Sequence, residues 1–269
     1  MSWGYGQLAT EVYELDKPVG RSFPGLDYYA RQLAGITGRI LEPACGTGRV
    51  LVPLLEAGLA VEGLDTSPQM LALCRQHCAD RGLDPVLREA DMTTVAEPDA
   101  YQAVIIPAGS IMLLDGQDAA PRTLAAFRAA LVPGGRLILD LDVPSRPDGP
   151  AITSARYWQR DPYLWTLQAM HTSYDPVVNQ VTSLLRYEKW RDGGLVATEL
   201  QRFRLQYWTL PEFGRMLTDA GFTDVTVTAD YRDGRPPGPR DQVWTFYAVR
   251  PRGLAGLCWK SSAVAEEPP

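Results

Sequence analysis

The chain has 269 residues, 45% hydrophobic and 22% charged, with a formal net charge of −6, the balance of an ordinary globular protein, so wholesale disorder is excluded. A basic face for nucleic acid would have to be built against that acidity, no apolar run approaches the roughly 18 residues of a membrane helix, and Met1-Ser2-Trp3-Gly4-Tyr5 carries no signal-peptide pattern. Cys45, Cys74, Cys78 and Cys258 are too scattered for a disulfide framework, so the expectation is a reduced, cytoplasmic protein with one α/β core and an insertion, or two small domains.

From Arg39 onward, short β-type runs alternate with helical patterns, the sign of a parallel sheet with crossover helices. Strand one is Arg39–Glu42, running into the turn Ala44–Gly48. A helix through Val50, Leu51, Leu54 and Leu55 stops at Gly58. Strand two, Ala60–Leu64, closes at Asp65; Ser67 then suits an N-cap and Pro68 a first helical turn, with Met70, Leu71 and Cys74 at helical spacing. Strand three is Pro85–Glu89, ending before Asp91-Met92. Strand four, Ala103–Ile106, is the continuous apolar run of a strand buried on both faces. A helix over Ala119–Leu131 meets the stop signal Pro133-Gly134-Gly135, and strand five is Arg136–Leu141.

There the alternation breaks. Residues 145–208 read as period-two strands, Leu164–Thr172, Gln180–Trp190 and Leu195–Trp208, joined through Asp175–Asn179 and Asp192-Gly193-Gly194. A helix Pro211–Ala220 and strands Val225–Ala229 and Val243–Val249 return to the core, while the tail 251–269 has little to bury and is expected to be disordered.

The segment Leu41-Glu42-Pro43-Ala44-Cys45-Gly46-Thr47-Gly48-Arg49 sits between a strand and a helix. Its small residues let the backbone approach a ligand, and the helix that follows offers unpaired N–H groups. Asp65, ending the next strand, can accept from ribose hydroxyls. A dinucleotide site wants a third glycine where Leu51 stands, and Glu42 would repel a pyrophosphate but welcome an ammonium. Asp91 can accept from an adenine amino group. The cofactor implied carries an amine and no phosphates.

These residues resemble the first motif of the class I S-adenosylmethionine (SAM) dependent methyltransferases, with Ala44 in place of a commoner glycine. Gly63–Leu71 resembles their second motif, Ala90-Asp91-Met92 the adenine-side motif, and Leu131–Arg136 the turn before strand five; together they span residues 39–142 in order. The resemblance implies a Rossmann-like α/β fold, a mostly parallel seven-stranded sheet flanked by helices with an antiparallel β insertion after strand five. It implies a helical cap over the cofactor (1–37), a SAM-binding core (38–144 and 209–250) and an insertion (145–208) serving as acceptor lid or dimer surface. By it, Glu42 lies near the methionine ammonium, Ala44, Cys45 and Gly46 line that end, and Asp65 with Thr66 holds the ribose. Met70 packs on the adenine, Asp91 and Met92 clasp its edge, and Pro107 and Ala108 flank the reacting methyl. Tyr5–Tyr13 and Leu26–Tyr29 resemble the segment that covers SAM in small-molecule members, Tyr13 and Tyr29 being the expected contacts.

The acceptor side leaves less trace, because methyl transfer needs alignment, a dry site and sometimes one base. Tyr157, Trp158, Tyr163, Trp165, Trp190, Tyr207 and Trp208 make the insertion aromatic, either to roof an organic acceptor or to cement a small sheet onto the core. His171, on the same strand face as Trp165 and Leu167, and Tyr13 are the candidate catalytic groups. The stretch Ala108–Leu113 lacks the histidine that some amino-sugar N-methyltransferases of similar sequence carry there, which speaks against an N-methylating sugar role with a copied mechanism. Arg156, Arg160, Arg186, Arg202 and Arg204 can receive an anion or form a solvated face. Cys74-Arg75-Gln76-His77-Cys78 lacks a fourth ligand, so no metal is expected. The reading is transfer of a methyl from SAM to a small-molecule O, N or C nucleophile, in a monomer or homodimer, with neither nucleic acid nor membrane as partner. The alternatives are a non-catalytic SAM-binding sensor or structural partner, and a macromolecule methyltransferase; the latter lacks the Asn-Pro-Pro-Tyr type motif, strand four running instead into Ile106-Pro107-Ala108-Gly109.

Overall fold

The structure is a computed structural model that describes residues 4–116, 118–143 and 155–252; the expected tail lies outside these residues beyond Arg252. Strands β1 (Ile40–Pro43), β2 (Val61–Asp65), β3 (Leu87–Glu89), β4 (Tyr101–Ile106) and β5 (Leu131–Asp142) pair in parallel. With β10 (Thr223–Ala229) and β11 (Val243–Val249) they form a seven-stranded sheet in the order β10-β11-β5-β4-β1-β2-β3, β11 running antiparallel to both its neighbours. Chain direction across the sheet reverses between β1 and β4, and an open α/β sheet leaves a ligand crevice beyond the carboxyl ends of the strands at such a point.

Period-two alternation sorts the sheet's side chains into two layers. Val104, Ile106, Leu137, Leu139 and Leu141 pack with Leu124 and Phe127 of α5 (Ala119–Ala130) and Phe213 and Leu217 of α6 (Leu210–Asp219). On the other face Ile40, Ala103, Ile105 and Ile138 pack with Tyr28 and Tyr29 of α2 (Pro24–Gln32), Leu51 and Leu54 of α3 (Leu51–Glu56), and Leu71 and Cys74 of α4 (Pro68–Ala79). Ser67 caps α4 as expected, its Oγ accepting from the Met70 N–H at 3.1 Å. Thr209 and Glu212 form a reciprocal capping box on α6 that the sequence analysis missed. Two expectations shift. Helix α3 has only 6 residues, and β5 begins at Leu131, directly after α5, because Pro133-Gly134-Gly135 makes an irregularity within the strand pairing, with Gly134 at φ +83°.

The insertion is a four-stranded antiparallel sheet, β6 (Ala155–Arg160), β7 (Tyr163–Asp175), β8 (Gln180–Arg191) and β9 (Gly194–Gln206), in sequential order. Strand β6 was not foreseen. Asp192 and Gly193 turn β8 into β9 at φ 50° and 76°, the left-handed pair of a type I′ hairpin. A bulge in β7 interrupts its register between Ala169, opposite Leu185, and His171, opposite Leu184. Successive partners lie on opposite faces, so His171 faces away from Trp165 and Leu167. The shared face expected for these three is thereby corrected: one inserted residue reverses the pleat. His171 is exposed.

The face carrying Trp165 and Tyr187 packs on Leu8, Ala9 and Val12 of α1 (Gln7–Asp16). Polar contacts fasten the same pair of elements. Glu199 of β9 accepts from the Leu8 and Ala9 N–H groups at 2.8 and 3.3 Å, capping a helix whose own Gly6 cannot. Glu11 Oε2 accepts from Trp165 Nε1 at 2.8 Å and Lys189 Nζ at 2.9 Å, and Arg156 pairs with Asp16. Much of the aromatic content of the insertion thus cements α1 to the sheet. Glu199→Ala is expected to lower stability by about 1–2 kcal/mol, the worth of a helix cap, and to speed amide exchange over residues 7–12. Urea midpoints and exchange rates equal to those of the parent would show that the cap contributes nothing.

Candidate active site

At the tip of β1 the chain turns sharply. Ala44 adopts φ +56° and Gly46 φ +56°, the left-handed region in which glycine is at ease, which accounts for the glycine usual at the position Ala44 fills. A Cβ at Gly46 would meet nothing within 4 Å, so this loop fronts open space. Its polar groups are buried without partners: Glu42 Oε2, Thr47 Oγ1 and Arg49 Nε make no hydrogen bond. Burial, then the neighbouring Cys74 and Asp65, pushes the Glu42 carboxyl well above the ordinary range. Buried polar atoms are rarely left unsatisfied unless something else completes them. Here a buried carboxylate and a guanidinium are both incomplete within one turn, which fits a ligand bearing an ammonium and a carboxylate. Arg49, stacked 3.8 Å from the Phe23 ring centroid, was not singled out by the sequence analysis.

Asp65 ends β2 beside that loop. Its oxygens accept from Gly46 N at 2.9 Å and Ser67 N at 2.8 Å. Burial raises its pKa and these amides oppose the rise. Each carboxylate oxygen keeps a further acceptor site for a hydroxyl. Thr66 is exposed, while Met70 and Met92 are buried. Asp91 is exposed, one oxygen accepting from Thr93 N at 2.8 Å.

Beyond β4, Pro107 is buried and Ala108 stands exposed at φ +54°. A group absent from the sequence reading holds Ala108 there. Asp140 of β5 is fully buried; its Oδ2 accepts from Ala108 N and Tyr231 Oη, and its Oδ1 from Thr245 Oγ1, each at 2.8 Å. Burial outweighs these bonds and pushes its pKa up to about 6. Tyr29 is buried beside the same carboxylate, its hydroxyl without a hydrogen bond. Its immediate surroundings are Tyr28, Tyr231 and Asp140.

The N-terminal segment reaches the first two loops. The Tyr5 carbonyl accepts from Ser67 Oγ at 2.8 Å, and the Tyr5 ring meets Tyr13 edge-on at 6.0 Å. Burial raises the Tyr13 pKa, opposed by Arg49 and reinforced by Glu42 and Asp65, so Tyr13 belongs with Glu42, Arg49 and Asp65. The structure therefore gathers Tyr13, Glu42, Ala44, Cys45, Gly46, Asp65 and Met70 around two adjacent loops, and Pro107 and Ala108 at the next. It does not bring His171 to them. Arg156, Arg186 and Arg204 are engaged with Asp16, Glu188 and Asp115, and His77 lies 3.2 Å from Glu14 of α1. Among the described residues no group of acids, histidines and thiols is placed to hold a metal ion.

Residues 40–135 match the family model described as a methyltransferase domain. A Geobacillus sp. protein named "putative methyltransferase" is 25% identical over 222 residues, covering 81% of this chain and 86% of its own. A glycine/sarcosine N-methyltransferase of Halorhodospira halochloris is 30% identical over 220 residues, covering 78% and 76%. The crystal structure of an S-adenosylmethionine-dependent methyltransferase from Clostridium acetobutylicum superposes with a TM-score of 0.73 at 14% identity, covering 90% of this chain and 97% of that one. The fold, the loop with its two unsatisfied charges and these relatives converge: the chain belongs to the class I S-adenosylmethionine-dependent methyltransferases.

Proposed function

We propose that the protein methylates a small molecule in the crevice at the carboxyl ends of β1, β2, β4 and β5. The observation that carries this reading is the pair of incomplete charges, Glu42 at the end of β1 and Arg49 at the far side of the turn that follows it. Glu42 would take the ammonium of the methionine end and Arg49 its carboxylate. Asp65 would hold the ribose hydroxyls, Met70 and Met92 would sandwich the adenine, and the free oxygen of Asp91 would accept from its amino group. Bound there, SAM supplies a methyl on a sulfonium, already activated for displacement. The protein's part is alignment and exclusion of water. Asp140 fixes the Pro107–Ala108 turn where the methyl is passed, while Tyr5, just before α1, and Tyr13, within it, close the loop side. A small acceptor suits a site roofed by α1 and the insertion, and the Halorhodospira relative is named for small amine substrates.

Asp65→Ala is expected to weaken binding of S-adenosylhomocysteine roughly 10- to 100-fold, the worth of a hydrogen bond to a charged group. Titration calorimetry checks this, and an unchanged affinity would remove the ribose assignment. Failure of the parent protein to bind adenosylhomocysteine at all would sink the functional reading.

A further inference from the structure

Two positions beyond Asp140, β5 ends in a second carboxylate, Asp142, on the same face of the strand. The turn after β4 runs directly over it. A Cβ placed on Gly109 would lie 3.2 Å from Asp142 Cγ and 3.3 Å from its Oδ2, and the backbone N–H of Asp142 donates to Met112 Sδ at 3.2 Å. Gly109, at φ +68° and next to Ala108, therefore lets this turn pack closely against the half-buried carboxylate, where a larger side chain would press on it. Asp140 accepts three hydrogen bonds. Asp142 is different: among the described residues no donor bonds its oxygens and no cation forms an ion pair with it.

We propose that Asp142 is the acceptor-binding and proton-accepting residue of this enzyme, and that the acceptor is an amine that arrives as an ammonium ion. The proposal rests on the methyltransferase reading above. It supplies, from strand β5, the base that the histidine-free turn Ala108–Leu113 does not provide. The charge logic is simple. An ammonium is drawn to an unpaired carboxylate in a part-buried site, whereas a neutral alcohol gains little there and a carboxylic acid is repelled. Asp142 accepts one proton from the ammonium nitrogen. The freed lone pair forms the new N–C bond as the C–S bond of the donor breaks, its electrons staying on sulfur. The products are the N-methylated ammonium, adenosylhomocysteine and one proton, which leaves Asp142 for solvent.

The surroundings support a base. Burial raises the Asp142 pKa, and Lys17 at the end of α1 opposes the rise. Lys17 is itself shifted down, by burial first and then by Arg49, with Asp16 and Asp142 opposing and Arg156 adding to the shift. Burial raises the Tyr207 pKa, with Asp142 adding to the rise, and it raises that of Tyr231, with its hydrogen-bond partner Asp140 and then Asp142 adding. An ammonium would thus meet an Asp142 whose charge Lys17 favours without pairing with it.

The test does not require the acceptor to be known in advance. The small-molecule fraction of a cell extract is incubated with the protein and SAM labelled with carbon-13 at the methyl, and the shift of the labelled carbon reports attachment to N, O or C. Asp142→Asn and Asp142→Glu are then compared with the parent for turnover, and for calorimetric affinity towards adenosylhomocysteine and the purified product. The expected result is an N-methyl product. In Asp142→Asn turnover should fall at least 100-fold and product affinity about 10- to 100-fold, with adenosylhomocysteine affinity within twofold of the parent and partial rescue in Asp142→Glu. An O- or C-methyl product, no labelled product from a protein that binds adenosylhomocysteine, or Asp142→Asn turning over within tenfold of the parent would each overturn the proposal and leave the methyltransferase reading standing.

Discussion

Replacing Glu42 by Gln should make the free protein more stable and, in the same step, lower its affinity for adenosylhomocysteine by roughly 100- to 1000-fold. Both effects come from one unpaired charge. Glu42 is 3% exposed, with one carboxylate oxygen that no donor reaches. An ionised group so placed has lost its water and gained nothing in return. The folded state therefore holds the proton more tightly than the unfolded chain, whose carboxyl titrates near the ordinary 4.5. Stability that is full below that value is lost as pH rises through the higher pKa of the folded state. A neutral glutamine of the same shape removes this slope. The ammonium of the cofactor, however, needs a full negative charge opposite it, and removing one half of a buried ion pair costs about 3–5 kcal/mol. Urea titrations with and without adenosylhomocysteine, at several pH values, read both halves. A glutamine variant that binds as tightly as the parent would move the ammonium elsewhere.

Asp140→Asn should separate pH-dependent stability from turnover. The folded carboxyl titrates at about 6 against an ordinary 3.8, a gap that corresponds to roughly 3 kcal/mol. Because the folded value is the higher one, this contribution is present below the unfolded value and is lost as pH climbs through 6. The stability of the asparagine variant relative to the parent should therefore improve by about 2.5 kcal/mol between pH 4 and pH 7. Turnover should move the other way. Asn has one acceptor oxygen for the donors that Asp140 satisfies, Ala108 N–H, Tyr231 and Thr245, so the left-handed Ala108 turn loses its anchor. A fall in kcat of about 10- to 100-fold is expected, with adenosylhomocysteine affinity unchanged. A stability difference flat across that pH range would show that the carboxylate is not buried as a charge.

The order of the core strands and helices was legible because each carries its own period, and the first loop because a strand, a small-residue turn and a helix follow one another in sequence. What escaped depends on contacts made across space. Strand β6, mostly exposed along its length, has no apolar stripe to announce it. Arg49 looked like the last letter of a motif until the structure left its Nε without a partner. The run Leu139-Asp140-Leu141-Asp142 reads as a half-solvated strand, yet β5 lies inside the sheet between β4 and β11. A polar residue alternating within a strand that the parallel arrangement must bury is the signal that would have found both aspartates. His171 was assigned to the wrong face by one inserted residue, which no period-two count can see.

The fastening of α1 to the antiparallel sheet has a mechanical consequence. Glu199, Trp165, Lys189 and Arg156 grip the helix from four different strands, while Tyr5 at its start leans on Ser67 beside the Asp65 loop. Swinging that helix away from the loops must drag the sheet with it, so there is one door rather than two. If the cofactor and acceptor bind as proposed, nucleotide release and acceptor entry would share that swing, and its pace rather than bond-making at sulfur would set the ceiling on the cycle.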